Sequence, residues 1–328
     1  MKKYNVAIVG ATGLVGSTFI KVLQEKKFPI NNLKLLASAN SAGKEIECFG
    51  KKWVVEELKE DSFKDVEIAL FSAGGSISQK FAPIAVKSGA TVIDNSSAWR
   101  QDKDVPLVVP EVNFGAIGDS KLIANPNCST IQAMLPLKAL KDKYGLKKVN
   151  FSTYQSVSGS GMKGINDLLS TRKGEKNSFY PYSIVDTCIP QIDVFLENGY
   201  TKEEMKMVNE TRKILELPDL KISATCIRVP VLSCHGVSIQ VELERDFKVE
   251  DVKELMKSFP GIVLADDPNN SIYPVSTMAT NNDSVYVGRI RRDLSTDNSL
   301  LLYTVADNIR KGAASNAVQI AEKIISNN

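Results

Sequence analysis

The sequence predicts an α/β chain in which a doubly wound parallel sheet is joined to a second domain of α+β character. Three observations predict it. The chain has 328 residues, long for a single hydrophobic core, so two domains are expected. Short apolar runs alternate with helical patterns through the first third: Val6–Val9, Leu33–Ala37, Val66–Ala73, Ala90–Ile93, Leu107–Val109 and Leu122–Ala124. The first run ends in Gly10-Ala11-Thr12-Gly13-Leu14-Val15-Gly16 and passes into a helical stretch carrying Phe19, Ile20, Val22 and Leu23. Strand, glycine turn and helix start together make a phosphate cradle, because glycines let the backbone approach and helix N–H groups supply positive potential. The first domain is therefore Rossmann-like.

Each element has a local reason. Val6-Ala7-Ile8-Val9 is apolar at every position, as a strand buried on both faces must be. The second strand ends Ser38-Ala39-Asn40-Ser41-Ala42-Gly43-Lys44, with hydroxyls, an amide and a lysine but no carboxylate. A carboxylate there would hold the ribose 2′-hydroxyl of NAD; its absence favours the 2′-phosphate of NADP. Ser72-Ala73-Gly74-Gly75 and Asp94 to Arg100 fall at carboxyl ends of strands, where such sheets bind ligands, which directs Arg100 toward an anion.

Leu122-Ile123-Ala124 runs into Asn125-Pro126-Asn127, and Cys128 opens a helix carried by Ile131, Met134, Leu135 and Leu140. Proline keeps Asn125 extended, so the helix starts after it. A cysteine on a first helical turn faces the positive end of the helix dipole, which favours the nucleophilic thiolate. Beyond this helix the style changes. Lys148–Val157 reads as a strand carrying Gln155, followed by the flexible turn Ser158-Gly159-Ser160-Gly161. Residues 170–200 lack periodicity and suit a segment that wraps a neighbouring domain or subunit. Thr201 to Glu204 is a capping box opening a helix through Met205, Val208, Ile214 and Leu215. On it Glu203 and Lys206 share a face as an exposed ion pair. Ala224–Val229 and Val237–Leu243 are strands, and His235 is in phase with the apolar face of the second. A helix from Asp307 to Ile325 closes the chain and is expected to dock on the first domain.

Lysine plus arginine number 41 against 38 acidic residues, mixed along the chain, which gives no footing for nucleic acid or a membrane surface. No apolar run approaches a membrane span, and Met1 to Asn5 leads directly into a strand instead of a signal peptide. Five scattered cysteines without a C-x-x-C pair argue for thiols in a reducing cytoplasm and against disulfides or a metal site. His235 is the one histidine, so imidazole chemistry has a single candidate.

This ordered set resembles the aspartate-β-semialdehyde dehydrogenase family over nearly the whole chain. The resemblance is carried by the Gly10–Gly16 turn, Asn125-Pro126-Asn127-Cys128-Ser129-Thr130, Gln155 with Ser158-Gly159, Glu203-Glu204-Met205-Lys206, and Arg228-Val229-Pro230-Val231 leading to His235. It implies NADPH-dependent reductive dephosphorylation of L-aspartyl-4-phosphate through a cysteine thioester, a step in lysine, threonine and methionine biosynthesis. Cys128 would be the nucleophile, His235 the general acid/base, and Gln155 the orienting amide. Arg228 would clasp the α-carboxylate and Glu203 face the ammonium, while Arg100, Lys206 and Asn127 would hold phosphate. NADP would lie against Gly10, Thr12, Gly13, Leu14 and Val15, then Ser38, Asn40, Ser72 and Gly74, with Ser158, Gly159 and Asn308. The implied assembly is a homodimer built on the second domain, and the implied domains are 1–127 with 308–328 for NADP and 128–307 for catalysis and dimerisation.

The chain departs from the family pattern at Asn40, where arginine is common, and at Gly236-Val237-Ser238 after the histidine. The rivals are a related acyl-phosphate reductase, such as N-acetyl-glutamyl-phosphate reductase, and a non-enzymatic NADP-binding protein. The first usually continues its cysteine turn Tyr-Pro-Thr, unlike Ser129-Thr130-Ile131, and the second would have no need of Cys128, Gln155 and His235.

Overall fold

Apolar side chains at every position of Val6–Val9 require burial on two sides, and the computed structural model supplies it. The structure describes residues 2–326. It divides into two units, Met1–Pro126 with Ala313–Asn328, and Asn127–Gly312.

In the first unit, strands β1 (Tyr4–Val9), β2 (Ile30–Ala37), β3 (Glu45–Cys48), β4 (Lys51–Glu57), β5 (Ile68–Phe71), β6 (Thr91–Asp94) and β7 (Leu122–Ala124) form one sheet. Their order is β3-β4-β2-β1-β5-β6-β7, parallel throughout except where β3 pairs antiparallel with β4. Because side chains alternate along a strand, Val6 and Ile8 join Phe19 and Leu23 of helix α1 (Leu14–Glu25) on one face. That layer also takes Ala317 and Ile320 of the C-terminal helix (Ser315–Ser326). Ala7 and Val9 meet Phe81 and Ala85 of helix α2 (Gly75–Lys87) on the other face. Strand order reverses around β1, which places the topological switch at the carboxyl ends of β1 and β5.

Two sequence expectations are corrected here, and one element had not been read. Leu107–Val109 is not a strand but an isolated bridge from Leu107 to Ala124, since flanking Pro106 and Pro110 offer no N–H to a ladder. The β3–β4 hairpin went unread because charged residues interrupt its alternation; its turn is Phe49-Gly50, both at positive φ. The terminal helix does not run regularly from residue 307. It is entered through a π-turn, Arg310–Ala314, in which the Gly312 N–H donates to the Asp307 carbonyl. The Asp307 carboxylate accepts from the N–H groups of Ile309 and Arg310.

The second unit is a six-stranded sheet covered by helices. Helix α3 (Cys128–Tyr144) precedes β8 (Leu146–Gln155), and helices α4 (Gly161–Thr171) and α5 (Lys202–Leu215) lie before β9 (Lys221–Arg228) and β10 (His235–Leu243). Helix α6 (Val249–Ser258), β11 (Ile262–Leu264), β12 (Val285–Arg292) and β13 (Ser299–Ala306) complete it. The order is β11-β12-β13-β10-β8-β9, so β8 sits between β9, parallel to it, and β10, antiparallel. The last three of these strands by sequence, β11 to β13, lay beyond the sequence reading. Residues 172–200 form no helix or strand; their first stretch is pinned by the buried Asp167 carboxylate, which accepts the N–H groups of Ser178 and Phe179. Residues 308–312 sit with this unit because the Asn308 amide bonds Ser156, Ser158 and Cys234. No described helix is long and apolar enough to cross a membrane.

Candidate active site

In the first unit, the glycine turn is shaped by contact with β5. Gly10 has φ +86°, and a Cβ built on it would lie 2.4 Å from the Ser72 carbonyl oxygen; one on Gly16 would lie 2.0 Å from the Gly10 carbonyl oxygen. Only glycine allows the turn to fold this tightly against the helix start. Gly13 caps α1 with no side-chain bond, which leaves first-turn N–H groups as the donors. A cleft of about 370 Å³ opens here, lined by Gly10, Thr12, Gly13, Ser38 and Ser72, with Leu58 and Phe81 among its apolar walls. Thr12 donates to Ser41 across it at 3.4 Å. The carboxylate on its rim, Glu57, comes from β4 and is ion-paired with Lys59 at 3.1 Å, so it was not legible from the end of β2. This cradle fits a dinucleotide whose ribose carries a phosphate: the N-terminus of α1 opens on it without a side-chain cap, and Ser38, just past β2, brings a hydroxyl. Leu14 and Val15 open α1, Asn40 lies in the short turn after β2, and Gly74 caps α2. Arg100 also belongs to this unit, buried beyond β6, with Nη2 donating to the Asn95 carbonyl at 2.9 Å.

In the second unit, strand register assembles the chemistry. Gln155 pairs with Arg228 on one side and with His235 on the other, so the three side chains stand in one row across β9, β8 and β10. All three are buried. The next residue, Ser156, serves both neighbours with its backbone. Its N–H donates to His235 Nδ1 at 3.0 Å, and its carbonyl accepts from Arg228 Nη1 at 2.6 Å. His235 Nε2 is buried and has no hydrogen-bond partner among the described residues. Gly159 passes over this row: a Cβ there would lie 2.9 Å from Arg228 Nη1 and 3.0 Å from His235 Nε2.

A second layer comes from α5 and the start of α3. Asn127 caps α3, its Oδ1 accepting from Ser129 and Thr130 N–H groups. Its Nδ2 donates to Glu203 at 2.9 Å and its backbone N–H to Glu210 at 2.6 Å. Glu203 also accepts from Gln155 Nε2 at 3.0 Å and from Lys206 Nζ at 2.9 Å. One carboxylate thus ties the helix that begins with Cys128 to the row of Gln155. Cys128 itself lies against Gly312, where a Cβ would come within 2.9 Å of its own. The Glu203–Lys206 pair is therefore not the exposed surface pair expected from sequence; α5 is packed against α3 and β9, which buries Glu203 and leaves Lys206 half-buried. Lys206 bonds in addition to Asp193 at 3.0 Å.

Burial pushes the Glu203 carboxyl up, but Lys206 and the amides of Asn127 and Gln155 outweigh it and hold the pKa at about 2. Burial also pushes Lys206 down, and Glu203 and Asp193 more than restore it. For His235 burial and the Arg228 charge act together, lowering the pKa to about 3 against a smaller opposing effect of Glu203. The site at neutral pH is a carboxylate, an ammonium, a guanidinium and a neutral imidazole. Ser158 and Asn308 bond each other, and Asn308 Oδ1 accepts the Cys234 N–H at 3.0 Å, so this pair braces the turn beside His235. Sequence reasoning passed over Ser156, Asp193, Glu210 and Gly312. Their roles run through backbone groups or through partners distant in sequence, which leave no local signature.

Comparison with known proteins places the chain. A family model described as semialdehyde dehydrogenase, NAD binding domain, matches residues 5–120, and one described as semialdehyde dehydrogenase, dimerisation domain, matches residues 137–311. The aspartate-semialdehyde dehydrogenase of Aquifex aeolicus is 52% identical over 333 residues, 98% of each chain. The crystal structure of aspartate semialdehyde dehydrogenase II complexed with ASA from Vibrio cholerae aligns with a TM-score of 0.95 at 45% identity, covering 99% of both chains. That of aspartate semialdehyde dehydrogenase with NADP from Candida albicans aligns at 0.78, with 26% identity over 98% of each chain.

The two depressed pKa values fix how stability responds to acid. His235 is neutral in the fold while the unfolded chain takes up its proton, so its contribution is whole above about pH 6.5 and lost as pH falls toward about 3. Glu203 adds a second loss from about 4.5 downward toward about 2. In the upper window the slope from His235 is at most roughly 1.4 kcal/mol per pH unit. Thermal melts of His235→Gln should fall less steeply than wild type between pH 6.5 and 4.5. Parallel curves there would show that the imidazole is not held neutral.

Proposed function

The chain belongs to the aspartate-semialdehyde dehydrogenase family, and from that membership we propose that it catalyses the NADPH-dependent conversion of L-aspartyl-4-phosphate to L-aspartate 4-semialdehyde and phosphate. The observation that carries this reading is the Glu203 junction, which ties the helix opening with Cys128 to the row of Arg228, Gln155 and His235.

Each residue has work that suits its chemistry. Cys128, half-exposed on the first turn of α3, attacks the acyl phosphate; phosphate leaves and a thioester remains. NADPH, when bound, supplies the hydride that reduces this thioester. The resulting oxyanion needs a donor, and His235 Nε2 is the ring nitrogen without a partner among the described residues. Gln155, held by Glu203 and by the Thr153 hydroxyl, orients the reacting group without ionising. The Arg228 fork takes the α-carboxylate and Glu203 the ammonium. Lys206 and Arg100 hold the phosphate. Asn127, whose amide is committed to capping and to Glu203, contributes by fixing that geometry. In the first unit Gly10, Thr12, Gly13 and Ser38 hold the pyrophosphate and 2′-phosphate, while Ser158 and Gly159 serve the nicotinamide side.

The protein assembles as a homodimer in this proposal, through the second sheet's uncovered face. There Ser152, Tyr154, Ser238 and Tyr303 stand between buried neighbours, and Tyr154 remains 41% exposed. Cysteine usage, five thiols with three of them buried, supports a cytoplasmic setting.

Turnover is tested by NADPH formation from aspartate semialdehyde and phosphate, with NAD and with the N-acetyl-glutamate semialdehyde substrate as comparisons; faster reaction in either comparison would overturn the reading. Cys128→Ala should lower turnover by at least about a thousandfold with NADP affinity unchanged. Arg228→Lys should raise KM roughly tenfold or more while kcat moves less, because a point charge cannot replace the fork. Light scattering should return twice the chain mass, and Tyr154→Arg should return the single mass; a wild-type monomer would sink the dimer.

A further inference from the structure

We propose that Glu57 is a specificity-determining residue for the cofactor: its carboxylate flanks the ribose 2′ position and disfavours a phosphate there, and Lys59 is the counter-charge that keeps NADP acceptable. The proposal deepens the cofactor part of the reading above and rests on it for which nucleotide the cleft holds.

In a doubly wound sheet the choice between NAD and NADP is made at the end of β2, where a carboxylate accepts from the ribose 2′-hydroxyl and repels a 2′-phosphate. Here that place carries Ser38 and Ala39, and the turn that follows, through Lys44, holds no acid. The fold brings one in from the neighbouring strand. β4 runs parallel to β2 with Ala37 matched to Glu57, so the two strands end together. Side chains alternate along β4: Val55 enters the core with Leu35 and Ala37, and Glu57 stands on that same face one step further on. Glu57, Leu58, Ser38 and Ala39 accordingly line one cleft with the glycine turn. Glu56, between Val55 and Glu57, is directed to the opposite face. Every residue in this arrangement lies in the first unit.

The backbone that carries the carboxylate is pinned. The Leu58 N–H donates to the Ala37 carbonyl at 2.9 Å, and the Lys59 N–H to the Ser62 hydroxyl at 2.9 Å, which in turn reaches the Glu57 carbonyl at 3.5 Å. The charge is thus anchored on the rim and has to be met by a side chain. Lys59 meets it, with Nζ 3.1 Å from Glu57 Oε2 and the two side chains 63% and 42% exposed. An ion pair this open holds weakly, so its ammonium can be shared with an arriving phosphate. Asn40, in the turn after β2, offers an amide and no charge. NAD presents a hydroxyl at the 2′ position and NADP a phosphate of nearly two negative charges, so the pair acts on one cofactor and hardly on the other.

Titration calorimetry of the full chain with NADP and with NAD, in the absence of substrate, tests this. Glu57→Gln keeps the shape and removes the charge; NADP affinity should rise roughly threefold to tenfold while NAD stays within about twofold. Lys59→Gln leaves the carboxylate uncompensated and should lower NADP affinity by about threefold or more, with NAD again within about twofold. Glu56→Gln removes an equal charge from the other face of the strand and should leave both affinities within about twofold. NADP affinity unmoved by Glu57→Gln or by Lys59→Gln, equal shifts for the two cofactors, or the same gain from Glu56→Gln would overturn the proposal. The titrations need no aspartyl substrate. If the affinities move as stated and aspartate semialdehyde is not turned over, the reaction assignment fails and the role of Glu57 stands; if turnover is found and the affinities do not move, the role of Glu57 fails alone.

Discussion

The register of one central strand is the constraint on which the second unit depends. β8 is hydrogen-bonded on both sides, and its last residue is matched to the last of β9 and the first of β10. Side chains alternate with a period of two, so a slip by one residue would turn Gln155 to the opposite face and dissolve its alignment with Arg228 and His235. Such a slip is opposed by the whole length of the strand, because Val149, Phe151 and Thr153 are buried on the same face as Gln155. Hydrophobic burial thus sets the geometry of the row. The polar residues occupy positions that apolar neighbours have already fixed.

The cost of that arrangement is the burial of charge. Glu203, Arg228 and the neutral imidazole all lie out of solvent, where an unpaired ion is strongly disfavoured. Glu203 is supported by an ammonium and two amides, and Arg228 by a main-chain carbonyl. In the proposed reaction each of these partners either meets the substrate or orients a group that does. The same network that stabilises the fold at neutral pH gives it the acid sensitivity of its two lowered pKa values.

Much of this was legible in the sequence, for identifiable reasons. The apolar run at Val6–Val9, the glycine turn and the helix start at Cys128 are local patterns whose physics is complete within a few residues. The capping box at Thr201 and Glu204 forms as its spacing predicts. What stayed hidden was non-local. No spacing reveals that Gln155 stands between Arg228 and His235, since that follows from antiparallel and parallel pairings to strands 70 to 80 positions away. The burial of Glu203 was hidden likewise: on a helix wheel it reads with Lys206 as a solvated pair, and only the packing of α5 takes its carboxylate out of solvent. Ser156 escaped notice because its contribution comes largely from its backbone, which every residue possesses.

Five thiols share the chain, and the structure shows why their chemistry differs. Cys226 is on β9 with its side chain in the sheet's buried face, where burial and the nearby Glu203 charge push its thiol well up. Cys234 is likewise raised, to about 11, by burial against Ala279 and Val305, and donates to the Ser276 carbonyl. Cys48 is raised by burial beneath the first sheet's edge. A thiol that stays protonated is a small apolar side chain with little nucleophilicity. Cys188 is exposed, in the irregular segment after α4. Cys128 alone opens a helix, follows an asparagine cap that is itself bonded to Glu203 and Glu210, and is faced by a glycine that leaves its Cβ room. Reactivity in this chain is therefore a matter of where the backbone places sulfur.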